Sequence, residues 1–172
     1  MRSSRRQAVL DFWRRVRVAR SERGRRGLPI YKVAVVCECS QVIADLLNLA
    51  GNDAFSVDTQ LGRGFSPHKV MDVHEFLDSV DAGLVCLDKI IAHPPCRLLS
   101  NLAKHHFAKG RHSRTDRARA LGLVTRLISC TKRVPELYVE NPAASSIASR
   151  HGVADVVCSP WEFGANYDKL TG

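Results

Sequence analysis

Along most of this chain short apolar runs alternate with amphipathic stretches. The runs near 32–37, 54–57, 84–92, 136–140 and 154–158 read as strands, and a further short strand is expected ahead of Asp72. Between them, apolar positions at helical spacing predict helices near 41–50, 73–80, 115–131 and 143–150. Strands alternating with helices predict an α/β domain over residues 31–172, a mostly parallel sheet flanked by helices. No internal repeat or low-complexity tract interrupts this pattern, so nothing in it calls for a second domain.

Residues 1–30 behave differently. Val9, Phe12, Trp13 and Val16 recur at helical spacing, which predicts a basic amphipathic helix over 5–19, followed by a flexible linker at 21–27. Ten arginines stand here against Asp11 and Glu22, an excess of eight, while the whole chain carries a net charge of +9. The chain is therefore a near-neutral domain with a cationic N-terminal helical arm. Three readings fit the arm: a nucleic-acid clamp whose arginines, Arg14, Arg15 and Arg17 among them, neutralise phosphates; a mitochondrial transit peptide; or a helix that lays Phe12 and Trp13 on the domain surface. The nucleic-acid reading agrees best with the rest of the chain.

Composition narrows the class. At 172 residues, 45% hydrophobic and 25% charged, the chain reads as one globular domain. No apolar run reaches the roughly 18 residues of a membrane span. Six cysteines without a CxxC pair argue against a zinc framework and for reduced thiols in a cytoplasmic setting. Cys37-x-Cys39 alone is a weak metal signal, so no metal is expected.

Candidate chemistry lies where two apolar runs end. Lys89-Ile90-Ile91-Ala92 runs into His93-Pro94-Pro95-Cys96, and Leu137-Tyr138-Val139 runs into Glu140-Asn141-Pro142. In an open parallel sheet, ligands gather at the carboxyl ends of the strands, so a thiol and a carboxylate are expected at one edge. A cysteine that follows two prolines at a strand end belongs to a loop rather than the core. His93 is assigned no role as a ligand. The segment 97–114 is rich in basic residues, Arg97, Lys104, Arg111 and Arg114 among them, with Phe107 interleaved, and reads as a loop that closes over a nucleic acid or, equally, as a plain solvated loop or a helix start.

These residues stand in a recognisable order. Val35-Val36-Cys37-Glu38-Cys39-Ser40, Gly51-Asn52-Asp53-Ala54-Phe55-Ser56-Val57-Asp58, Asp72-Val73, Ile91-Ala92-His93-Pro94-Pro95-Cys96, Ser100-Asn101, Val139-Glu140-Asn141-Pro142 and Pro160-Trp161-Glu162-Phe163-Gly164 together resemble the phage-type branch of the cytosine carbon-5 DNA methyltransferases, over roughly residues 31–172. The resemblance implies a Rossmann-like methyltransferase fold, S-adenosylmethionine as methyl donor, and DNA as substrate. It implies Cys96 as nucleophile and Glu140 as the carboxylate that contacts the base. Glu38 and Ser40 would lie near the methionine part of the donor, Asp58 near the ribose hydroxyls and Asp72 near the adenine amine. An amino-group methyltransferase would have an aromatic residue after the paired prolines; Cys96 stands there instead.

The chain departs from the family at Gln41, where a glycine is usual, and the side chain is expected to crowd the donor. It also shows no target-recognition region, so sequence choice is expected from the existing loops or from a partner subunit. The alternative expectation is a catalytically inactive methyltransferase-like domain that binds nucleic acid or serves assembly within a ribonucleoprotein or viral particle.

Overall fold

The computed structural model describes residues 2–100, 113–142, 145–152, 155 and 157. Its elements run α1 (Arg2–Arg25), β1 (Lys32–Val36), α2 (Val42–Leu49), β2 (Asp53–Asp58), β3 (His68–Val70), α3 (Val73–Asp81), β4 (Lys89–Ala92), α4 (Cys96–Leu99), α5 (Arg114–Ser129), a 3₁₀ turn (Cys130–Lys132), β5 (Glu136–Val139) and α6 (Ser146–His151). Five parallel strands form one sheet in the order β3-β2-β1-β4-β5, a Rossmann-like arrangement with β1 at its centre. The chain divides into two compact units, Met1–Ile91 with Cys130–Leu137, and Ala92–Ser129 with Tyr138–Gly172.

In the first unit the central strand explains its own sequence. Val33, Ala34, Val35 and Val36 are all buried, as a parallel strand covered on both faces requires. β1 pairs with β2 from Lys32↔Asp53 to Val36↔Val57, and β2 with β3 from Ser56↔His68 to Asp58↔Val70. At the start of β4, Lys89 Nζ lies 2.6 Å from Glu136 Oε2 and 4.1 Å from the Tyr31 ring centroid, a cation held between a carboxylate and an aromatic face.

Several expectations are corrected here. The run 84–92 is strand only from Lys89, because α3 ends in a glycine-closed turn at Gly83, with Leu84 N donating to Ser79 O, and the chain first bonds to the sheet at Asp88, whose N donates to Lys32 O at 3.0 Å. Leu84 is 79% exposed as a result. The linker expected at 21–27 is helical through Arg25, and the helix closes on Gly27 at φ 64, with Leu28 N donating to Arg23 O and Gly27 N to Gly24 O. Residues 96–99 form α4, so of the open alternatives the segment after Cys96 begins as a helix start, and α6 begins at Ser146, with 143–144 outside the described residues. Most of the expected strand at 154–158, together with Lys104, Phe107, Arg111 and 160–164, also lies outside them.

The arm is a docked helix. Phe12 and Val16 are buried, and Phe12 meets Phe65 at 5.3 Å between ring centroids. Arg20 donates through Nη2 to Asn52 O at 2.8 Å and to Asn48 Oδ1 at 3.2 Å, and Arg23 donates through Nε to Pro29 O at 3.0 Å. Gly51, at φ 87, makes the close approach possible: a Cβ there would stand 2.5 Å from Arg23 Cδ and 3.0 Å from Ala19 O.

In the second unit Leu99, Ala120 and Val124 form a buried cluster joined by Leu98, Leu121 and Ile147. Ser113 caps α5: its Oγ accepts from Asp116 N at 3.0 Å while Asp116 Oδ2 accepts from Ser113 N at 3.0 Å, a reciprocal capping box.

Candidate functional site

The loop 37–41 after β1 is shaped by two residues in left-handed conformation, Cys37 at φ 62 and Gln41 at φ 63, each costly for a residue other than glycine. The Cys37 thiol is pushed up to about 12, first by burial and then by the negative charges of Asp58 and Asp72. Asp58 ends β2 and Asp72 follows β3, and both carboxylates act on that thiol. Asp58 Oδ1 accepts from Gln60 N at 2.9 Å, and Asp72 caps α3 by accepting from His74 N at 2.7 Å.

Glu38 is buried at 7% exposure. Its Oε1 accepts from Ile43 N at 2.8 Å and from Ser40 Oγ at 3.0 Å, tying the loop to the first turn of α2. Its Oε2 is buried without a hydrogen-bond partner.

Gln41 departs from expectation. Its side chain is occupied by the loop 62–66: Oε1 accepts from Gly64 N at 2.8 Å and Nε2 donates to Ser66 O at 2.5 Å. Asp45, one turn on, accepts from Ser66 N at 2.7 Å, and Asn48 Nδ2 donates to Ser66 Oγ at 2.9 Å. A polar seam along α2 thus clamps the segment that joins β2 to β3, and Arg63 N adds a bond of 3.0 Å to Cys39 O. The αL backbone also gives a reason for glycine at this place, since only glycine adopts it without cost.

Within the second unit the loops after β4 and β5 are joined three times. Glu140 N donates to Ala92 O at 2.9 Å, Asn141 Nδ2 donates to Pro94 O at 3.2 Å, and His93 Nδ1 stands 3.4 Å from Glu140 Oε2. His93 Nε2 and Asn141 Oδ1 are buried without a hydrogen-bond partner. Cys96 is exposed and opens α4, whose next turn is anchored through buried Leu99; Ser146 Oγ donates to Leu99 O at 3.0 Å and itself accepts from Arg117.

No family model matches the chain, and no curated protein matches it in sequence. Among the described residues, three buried side-chain atoms lack a hydrogen-bond partner, Glu38 Oε2, His93 Nε2 and Asn141 Oδ1, and all three belong to loops at the carboxyl ends of strands. A buried polar atom without a partner costs about 1 to 3 kcal/mol, so folded proteins keep few, often where a ligand completes the bonding.

Of the residues singled out for nucleic acid, Arg14, Arg15, Arg17, Arg97 and Arg114 are at least partly exposed, with Arg14 Nη1 3.8 Å from Asp11 Oδ1. Sequence reasoning passed over His93, whose carboxylate partner is 47 positions away, and over the α2 seam. The signal for His93 was its place at the end of an apolar strand beside the cysteine motif. Among the described residues no group of three His, Cys, Asp or Glu side chains stands where it would hold a metal ion, and no helix is long and apolar enough to cross a membrane.

Proposed function

We propose that this protein transfers a methyl group from S-adenosylmethionine to carbon-5 of cytosine in DNA, with Cys96 as the nucleophile and Glu140 as the acid that contacts the base. The observation that carries the reading is the pair of unpartnered buried atoms His93 Nε2 and Asn141 Oδ1, which lie in the same joined loops as Cys96 and Glu140. The order of motifs along the chain supports it independently.

The donor's chemistry fits the residues present. Its ammonium group matches the unpartnered Glu38 Oε2, and its ribose hydroxyls and adenine amine are hydrogen-bond donors that suit the carboxylates of Asp58 and Asp72. When bound, S-adenosylmethionine would supply an electrophilic methyl group, the electron pair of its broken sulfur–methyl bond remaining on sulfur as the demethylated donor leaves. The protein's part is to make carbon-5 nucleophilic enough to take it. The Cys96 thiolate bonds to carbon-6 of the cytosine ring and the electron pair of the 5,6 double bond moves to carbon-5. Glu140 in its protonated form donates to the ring nitrogen, an acceptor, while its other oxygen accepts from the exocyclic amine, and the proton stabilises the negative charge that the addition places on the ring. After methylation a base takes the carbon-5 proton, the double bond re-forms and the thiolate leaves.

A second reading, a domain that binds nucleic acid without catalysis, is favoured by α1, a docked helix whose exposed face carries Arg6, Arg14, Arg17 and Arg25. Calorimetry with S-adenosylmethionine separates the two. The enzyme reading expects binding, weakened about tenfold or more by Asp58→Ala as a charge-assisted bond is lost. No binding by the parent chain removes the enzyme reading and leaves the second.

A further inference from the structure

We propose that His93 is a positioning residue that orients the Glu140 carboxylate toward the base, an inference that rests on the methyltransfer reading. The two side chains stand on loops that the backbone already holds together, since Glu140 N bonds Ala92 O, the residue before His93. His93 Nδ1 is 3.4 Å from Glu140 Oε2, and Nε2 is buried with no acceptor within reach. A proton on Nε2 would be buried and unpaired, so the hydrogen-bond network assigns it to Nδ1, where it points at the carboxylate. The bond is long, as such contacts often are before substrate closes a site, and it shortens with little motion because both ends are fixed.

The consequence is a division of labour within one carboxyl group. Oε2 accepts from the imidazole, and Oε1 is left to carry the proton that it donates to the ring nitrogen of cytosine, an acceptor. Without His93 the carboxylate, 43% exposed, rotates among several rotamers and meets the base in few of them. Asn141 has a different role, since its Nδ2 fastens Pro94 in front of Cys96. His93 therefore acts through Glu140.

The test uses the full chain, S-adenosylmethionine and a DNA duplex in which 5-fluorocytosine replaces cytosine, so that the adduct on Cys96 is trapped and its rate of formation is read separately from DNA affinity. Three variants are compared. His93→Ala removes the donor, His93→Asn keeps an amide at the Nδ1 position, and His93→Gln moves the amide to the Nε2 position. Adduct formation is expected to slow about tenfold or more in His93→Ala and His93→Gln, with DNA affinity held within about twofold, and to return to within about threefold of the parent in His93→Asn. Should His93→Ala fail to fold, the contrast between Asn and Gln carries the decision. Equal rates for Asn and Gln, or a parental rate in His93→Ala, overturn the positioning role while leaving the methyltransfer reading intact. A folded parent that forms no adduct overturns the methyltransfer reading, and this inference falls with it.

Discussion

Burial, with the charges of Asp58 and Asp72 added to it, raises the Cys37 thiol from its ordinary 9.0 to about 12. The folded state thus holds a proton that the unfolded chain releases at about pH 9. That contribution is fully present below pH 9 and is lost as the pH climbs toward 12, since the unfolded state then binds fewer protons. Urea unfolding across this window should show parental stability falling more steeply than that of Cys37→Ala, by up to about 1.4 kcal/mol per pH unit. Equal slopes would mean the thiol is not so confined. At Gln41 two effects oppose each other. Glycine would relieve a left-handed backbone worth about 1 to 2 kcal/mol, yet it would leave Gly64 N and Ser66 O without the bonds Gln41 supplies, at about 1 to 3 kcal/mol each. Gln41→Gly should therefore lower stability by a net amount of up to about 5 kcal/mol in a thermal or urea melt, and a more stable variant would show that strain outweighs the clamp. That Cys96 and Glu140 lie just beyond the strands β4 and β5 was legible, because each follows an apolar run. Neither the His93 contact nor the αL conformation of Gln41 was, since a partner 47 residues away and a positive φ in a residue other than glycine leave no periodic trace.

Among the elements, α1 divides its arginines by task. Arg20 and Arg23 reach main-chain oxygens of neighbouring turns, while Arg6, Arg14, Arg17 and Arg25 are exposed along the helix. Arg20→Ala is expected to cost about 1 to 3 kcal/mol of stability, because Asn52 O is deprived of a charged donor. Replacing Arg6, Arg14, Arg17 and Arg25 together by glutamine should leave the melting curve nearly unchanged and flatten the salt dependence of nucleic-acid binding, the slope falling by about 0.9 for each phosphate of duplex DNA that is no longer neutralised. An unchanged slope would take the exposed face out of nucleic-acid binding. The sequence showed the helix through Val9, Phe12 and Val16, but not its extension to Arg25, because glycine and arginine at 23–26 read as a linker when docking partners are unseen. The same limit applies to β4. Hydrophobicity ran on through 84–88, whereas the turn after α3 decides where the strand begins.

For the molecule as a whole, the parallel sheet with β1 at its centre was readable from apolar runs separated by amphipathic helices, since burial on both faces forces continuous hydrophobicity on such strands. What periodicity does not reveal is the polar bonding at the strand ends, where Glu38, His93 and Asn141 keep buried atoms unpartnered. The central claim is that these ends serve methyl transfer through a thiol adduct on Cys96. Its most direct test is intact-mass analysis with peptide mapping, after the full chain is incubated with S-adenosylmethionine and a duplex containing 5-fluorocytosine. Methyl transfer by this route yields a covalent protein–DNA species attached at Cys96 and absent from Cys96→Ser. Methylated DNA produced by the parent without any adduct, or an adduct that persists in Cys96→Ser, would contradict it.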